Sequence, residues 1–244
     1  MSPAGAPAPR IDQDAWAGGR EPMLRFGPED AATTVIVALP LLEEANRTRA
    51  LAAAMLRRLA ARGLAGALPE LPGTGESAGP TEAMRLADLR AAFAAAGERV
   101  DGRVMPVAIR SASLLVTPDL IRGPASSLQG DEGSGTPAQG RGDVSLWMLS
   151  PQSGAEVVRE WRRLRDAGDG VTVAGNRIAS ALWKDLDDAA PPPARVVRLQ
   201  GDPRPADRIV AAAPPWRRAE PDADLALADI LADDVADWIA RCRG

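Results

Sequence analysis

The sequence predicts an α/β fold in which a mainly parallel sheet carries helices on both faces. Short apolar runs at 33–40, 104–109, 144–149 and 195–200 have the composition of buried strands. Between them lie segments with apolar residues at helical spacing, at 47–62, 81–96, 155–165 and 178–186. Strand and helix alternating at this pace give βαβ units, whose crossover helices cover a parallel sheet from either side. At 244 residues and 45% hydrophobic content, the chain can fill one large domain with an ordinary core.

Taken in order, residues 1–21 are Ala/Pro-rich at their start and read as a flexible lead, with 22–244 as a single domain. Residues 23–26 suit a short edge strand. The β-branched run 33–40 suits a central one. A loop with the paired acids Glu43 and Glu44 follows, and Asn46 is placed to cap the helix 47–62, which Gly63 ends. Residues 64–69 make the next strand and 70–77 a Gly-rich turn, before a helix at 81–96. Residues 117–142 are rich in Gly, Ser, Pro and Gln without periodicity, and read as a disordered insertion. Strands at 144–149, 171–174, 195–200 and 208–212 complete the sheet. The tail 225–241 is an amphipathic helix with Leu227, Leu231, Val235 and Trp238 inward.

Composition excludes several function classes. Net charge is −4 with both signs interspersed, which gives no basic footprint for nucleic acid. The single cysteine, Cys242, allows neither a disulfide framework nor a thiolate metal site, and no cofactor motif is present. No apolar run reaches the roughly 20 residues of a membrane span, and no signal-peptide core is visible, so a cytoplasmic location is expected. The chain contains no histidine at all. A histidine-dependent catalytic triad is therefore impossible.

That absence bears on the segment 104–115. A buried strand there runs into a turn flanked by the small residues Ala108 and Ala112, then into an apolar helical start. In serine hydrolases with a strand-turn-helix elbow, the residue between such small neighbours is the nucleophile. Here it is Arg110, which cannot attack a carbonyl. Ser111 and Ser113 stand one and three positions further on, without an imidazole to take a hydroxyl proton.

The loop Glu70-Leu71-Pro72-Gly73-Thr74-Gly75-Glu76-Ser77 has a superficial likeness to a phosphate-binding P-loop. Glu76 stands where the lysine must be and would repel a polyphosphate. The loop fits better as acidic-x-x-Gly-x-Gly-x-Ser, with Glu70, Gly73, Gly75 and Ser77 at the defined positions. With that loop, the paired-Glu segment with Asn46 and Arg49, and the Ala108-x-Arg110-x-Ala112 elbow, the chain resembles the α/β-hydrolase-like proteins associated with exosortase A systems, type 2. Later pieces agree in order: Ser145-Leu146-Trp147 with Ser153-Gly154, the Arg-rich segment 161–165, Val173-Ala174-Gly175, and Pro214-Pro215-Trp216 with Glu220. The likeness spans roughly 23–241 outside the insertion. In that type an arginine stands in place of the serine, but flanked by glycines where this chain has alanines. The resemblance implies an α/β-hydrolase-like fold and a link to bacterial exopolysaccharide and protein-sorting systems.

Ligands of parallel sheets bind beyond the carboxyl ends of the strands. That rule gathers Glu43, Glu44, Glu70, Ser77, Arg110 and Ser111 on one rim as the candidate ligand-binding set, with no catalytic and no metal-binding residue among them. Arg110 has three readings: an ion pair to Glu43, Glu44 or Glu70, a site for a small anionic ligand, or simple exposure. The expected function is that of a pseudoenzyme, a binding or accessory protein whose protein partner the sequence does not name. Two alternatives stand beside it: an ester or thioester hydrolase with a non-standard site, and a chain disabled by its insertion.

Overall fold

Residues 8–117, 145–165 and 172–242 are described by a computed structural model. The chain opens with a β-hairpin, β1 (Arg10–Trp16) and β2 (Gly19–Phe26), paired antiparallel from Arg10↔Arg25 to Trp16↔Gly19. The segment expected as a flexible lead is thus an ordered edge strand from Arg10 onward, while 1–7 lie outside the described residues. An edge strand has no buried outer neighbour, so its polar residues hide it from a search for apolar runs. Residues 23–26, expected at the edge, form the inner end of β2, which pairs with β4 (Ala65–Pro69).

The β-branched run 33–40 yields β3 (Thr33–Ala38), buried at every position. It pairs in parallel with β4 on one side and with β5 (Arg103–Ile109) on the other. Parallel pairing continues through β6 (Trp147–Leu149), β9 (Arg195–Leu199) and β10 (Arg208–Val210). The eight strands stand in the order β1-β2-β4-β3-β5-β6-β9-β10. Only the first three strands in that order pair antiparallel.

Alternation along β3 divides the core. Val35 and Val37 pack with α1 (Glu43–Ala60) and α5 (Leu225–Arg241) on one face. Ile36 and Ala38 face α2 (Leu86–Glu98), α3 (Gly154–Arg163) and α4 (Ser180–Asp187) on the other. The helix α5 has the expected boundaries and buries Leu227, Leu231, Val235 and Trp238, each worth about 1.5–3 kcal/mol of hydrophobic stabilisation.

Three local expectations change. Helix α1 begins at Glu43, so Glu43 and Glu44 form its first turn instead of a loop, and Asn46 lies inside the helix without capping it. Carboxylates favour that position because they face the positive end of the helix. The segment 81–96 is not one helix: a 3-10 turn at Thr81–Ala83 is followed by extended backbone at Met84 and Arg85, and α2 starts at Leu86. The segment 171–174 does not join the main sheet. Its β7 (Thr172–Val173) pairs with β8 (Asn176–Arg177) in a separate hairpin, turned by Ala174 and Gly175, both at positive φ. The expected insertion falls outside the described residues, apart from its first position at 117.

Candidate functional site

Arg110 stands at the carboxyl end of β5, within reach of residues that follow β3, β6 and β10. Backbone at Ile109 is still extended, with ψ 123°, and Arg110 turns sharply at φ 56°. Left-handed backbone at a residue with a side chain costs on the order of 1–2 kcal/mol, so its surroundings must hold it. Ala108 and Ala112, fully buried on either side, give the turn its room.

The Arg110 side chain is 8% exposed and bonded through Nε and Nη2. Its Nε donates to both carboxylate oxygens of Glu44, at 3.2 and 3.1 Å, and its Nη2 donates to Glu44 Oε1 at 2.8 Å. The same Nη2 donates to Glu160 Oε2, on α3, at 2.9 Å. Gln152 Nε2 reaches that Glu160 oxygen as well, at 2.8 Å. The face of the guanidinium lies 4.8 Å from the Trp216 ring centre, a cation–π contact. Trp216 is placed by a 3-10 turn at Pro215–Arg217, and Arg47 of α1 donates to its backbone carbonyl at 3.1 Å. Burial pushes the Glu44 carboxyl above its ordinary pKa, against the pull of Arg110.

The two serines after Arg110 are braces. Ser111 Oγ accepts the backbone N–H of Leu41 at 2.9 Å, and Ser113 Oγ donates to the Gln152 carbonyl at 3.0 Å. The first bond has a chemical consequence. In a nucleophile-elbow enzyme, an N–H from the loop after β3 helps form the oxyanion hole. In this chain the Leu41 N–H from that loop is already bonded.

Of the three carboxylates placed opposite Arg110 by sequence, Glu44 is the one it meets. Glu43 lies at the cleft mouth, 3.8 Å from Arg47. Glu70 is turned away: it makes a two-pronged ion pair with Arg49, with Nη2 to Oε2 at 2.9 Å. Gly75 at φ 46° permits this, because a Cβ there would strike the Glu70 carboxylate and the Arg49 guanidinium. Ser77 Oγ accepts the N–H groups of Gly73 and Gly79 at 3.0 and 3.1 Å and shapes that loop from within. The expected single rim is therefore two places: a cleft over Glu44, Ser111 and Glu160, and a polar groove over Gly73–Ser77 that shares Glu43. The cleft volume is about 30 Å³, room for a water molecule and little more.

Glu160 and Gln152 were not among the candidates. The signal for Glu160 is slight: it is one of two acids in an arginine-rich amphipathic helix, and the other, Glu156, caps the helix start.

The overall architecture has solved counterparts. Mouse α/β hydrolase domain-containing protein 10 superposes with a TM-score of 0.59, covering 95% of this chain and 99% of its own, at 13% identity. A thioesterase domain from the curacin biosynthetic pathway gives 0.54 over 94% and 100%, at 12% identity. A loop variant of a haloalkane dehalogenase from Bradyrhizobium elkanii gives 0.54 over 96% and 98%, also at 12% identity. This chain has the α/β-hydrolase fold. No protein-family pattern matches its sequence, and no curated protein matches it either.

Within the α/β-hydrolase fold the triad follows the chain order nucleophile, acid, histidine. Arg110 holds the elbow. Asp202, after β9, is bonded by Arg204 and Arg198, and these bonds keep its carboxyl well below the usual carboxylate range. After β10 comes Trp216, lying over Arg110. Among the described residues, an ionic and aromatic cluster of Arg110, Glu44, Glu160 and Trp216 stands at the turn after β5.

Proposed function

We propose that this chain is a pseudoenzyme of the α/β-hydrolase fold, a binding or accessory protein without Ser-His-Asp catalysis. The observation that carries this reading is the state of the elbow: Arg110 is held by Glu44, Glu160 and Trp216, while Ser111 bonds the Leu41 N–H. On the sequence resemblance to type 2 exosortase-associated hydrolases, we propose a cytoplasmic role in exopolysaccharide or protein-sorting systems. An anionic ligand at Arg110 forms no part of this reading, because the Nε and Nη2 edge of the guanidinium already meets two carboxylates.

One observation favours the alternative, an ester or thioester hydrolase with a non-standard site. Glu44, its pKa raised by burial, lines the same cleft as Ser111 and is a candidate base. Arg110 bonds both its oxygens, however. Hydrolysis of short-chain p-nitrophenyl esters and acyl thioesters separates the two readings. The pseudoenzyme gives only buffer-level turnover in wild type, Ser111→Ala and Glu44→Gln alike. Wild-type turnover that either substitution abolishes establishes the alternative.

A further inference from the structure

The polar groove beside the elbow is far larger than the cleft, about 340 Å³ against about 30 Å³. Small-molecule sites run from roughly 300 to 1,000 Å³, so the groove is of ligand size. Four separate segments wall it: the first turn of α1, the loop 70–77, the 3-10 turn at Thr81–Ala83, and β8. Ligand pockets are mostly apolar. Here Leu42 alone among the lining residues has an apolar side chain.

This lining has spent its donors on itself. Thr74 Oγ1 donates to the Leu71 carbonyl at 2.7 Å and Thr81 Oγ1 to the Gly73 carbonyl at 3.0 Å, while Asn176 Nδ2 donates to the Ala174 carbonyl at 3.1 Å. The N–H groups of Gly73, Thr74, Ser77 and Gly79 are bonded within the loop. Acceptors remain: Asn176 Oδ1, the Thr81 lone pairs, and the carboxylates of Glu43 and Glu76. No arginine or lysine lines the groove. Close by, Arg49 is closed on Glu70, and Arg47 donates to the Trp216 carbonyl and comes no nearer to Glu43 than 3.8 Å. Glu76 is exposed and meets no cation among the described residues.

We infer that this groove binds a small organic cation, a protonated amine with further N–H or O–H donors, as in an aliphatic polyamine or an amino sugar. The ammonium is matched to Glu43 and Glu76, and the other donors to Asn176 Oδ1 and Thr81. The two carboxylates repel an anion, and an acyl chain finds no apolar wall. A bare calcium ion takes six to eight oxygens, and no group of three acids that could hold a metal stands among the described residues. The inference is independent of whether the elbow hydrolyses anything.

The test is a ¹⁵N–¹H NMR titration of the full chain at low salt and slightly acidic pH, where both amine probes are charged. It is read at the amides of Gly73, Gly75, Ser77 and Gly79. Spermidine and glucosamine should each shift these signals and saturate at millimolar concentration, the tighter of the two naming the source. Glucose should bind about five-fold or more weakly, and inorganic phosphate should leave the signals in place. An exposed ion pair is worth up to about five-fold in affinity. Glu43→Gln/Glu76→Gln should therefore weaken the amines about five-fold or more, and Asn46→Asp, at an exposed position on the groove wall, should tighten them by up to about five-fold. Should the double variant fail to fold, Asn46→Asp carries the test. The inference is overturned if neither amine shifts the loop amides, if glucose matches glucosamine, if calcium chloride shifts them at lower concentration than either amine, or if folded variants bind as wild type does.

Discussion

Replacing Arg110 with methionine tests the elbow cluster as an energetic unit. Arg110→Met keeps much of the side-chain length but removes the bonds to Glu44 and Glu160 and the charge over Trp216. Breaking a buried ion pair from one side costs about 3–5 kcal/mol, because the partner charge is left uncompensated. Glu160 is 41% exposed and can turn to water, whereas Glu44 is 19% exposed and cannot. The lower end, about 3 kcal/mol, is therefore expected, or a fall in Tm of about 6–12 °C for a domain of this size. The loss should depend on pH. Without Arg110, burial and the nearby Glu160 charge both raise the Glu44 pKa against Arg47, and the folded value moves further above 4.5. A carboxyl whose pKa is raised on folding destabilises the fold while it is ionised, and that penalty fades as pH falls toward the folded pKa. Urea denaturation followed by tryptophan fluorescence should show the full loss at pH 8 and a smaller one at pH 5. Arg110→Met/Glu44→Gln should recover most of it at pH 8. A loss under about 1 kcal/mol at pH 8, or an equal loss at both pH values, refutes the reasoning.

Other predictions follow from the same geometry. Asp14 is buried opposite Glu21 across the hairpin, with Arg99 no nearer than 4.0 Å, and burial raises its pKa to about 6. The Asp14 penalty should therefore fade as pH falls from 6 toward 3.8, and Asp14→Asn should add on the order of 1–2 kcal/mol at pH 8 that shrinks below pH 6 and is gone below about pH 4, as read by urea denaturation. Asp234 accepts from Arg195, Arg208 and Trp147, and these bonds hold its pKa at about 2 against burial. Its ionic contribution is present above pH 4 and lost as pH falls toward 2, so Asp234→Ala should cost about 3–5 kcal/mol at pH 7 and about 2 kcal/mol less near pH 2. A Cβ on Gly154 would strike the Leu186 carbonyl, so Gly154→Ala should force α3 away from α4 and lower Tm by about 5 °C or more in a thermal melt.

The strands and helices that the sequence disclosed were those with strong apolar patterns. The tail helix 225–241 and the central strand at 33–38 are legible because burial on fixed periods leaves a readable trace. Strand β1 left none, since both its faces carry polar residues. The elbow was equally legible, because the flanking alanines and the missing histidine are facts of composition. Its closure was not. Glu160 lies fifty residues from Arg110 in sequence, and only the packing of α3 against the strand ends brings its carboxylate to the guanidinium. Glu70 and Ser77 were misplaced for a related reason: the loop at 70–77 satisfies its own polar groups with Arg49, Gly73 and Gly79 before it can offer them to the elbow.

The central claim is that this elbow holds a closed cluster in place of a nucleophile. Intact-mass spectrometry after exposure to a fluorophosphonate, which reacts covalently with activated serine hydroxyls, tests that claim most directly. With Ser111 Oγ occupied by the Leu41 N–H and no histidine in the chain, the expected mass is that of the unmodified protein. A single stoichiometric adduct mapping to Ser111 or Ser113 would contradict it.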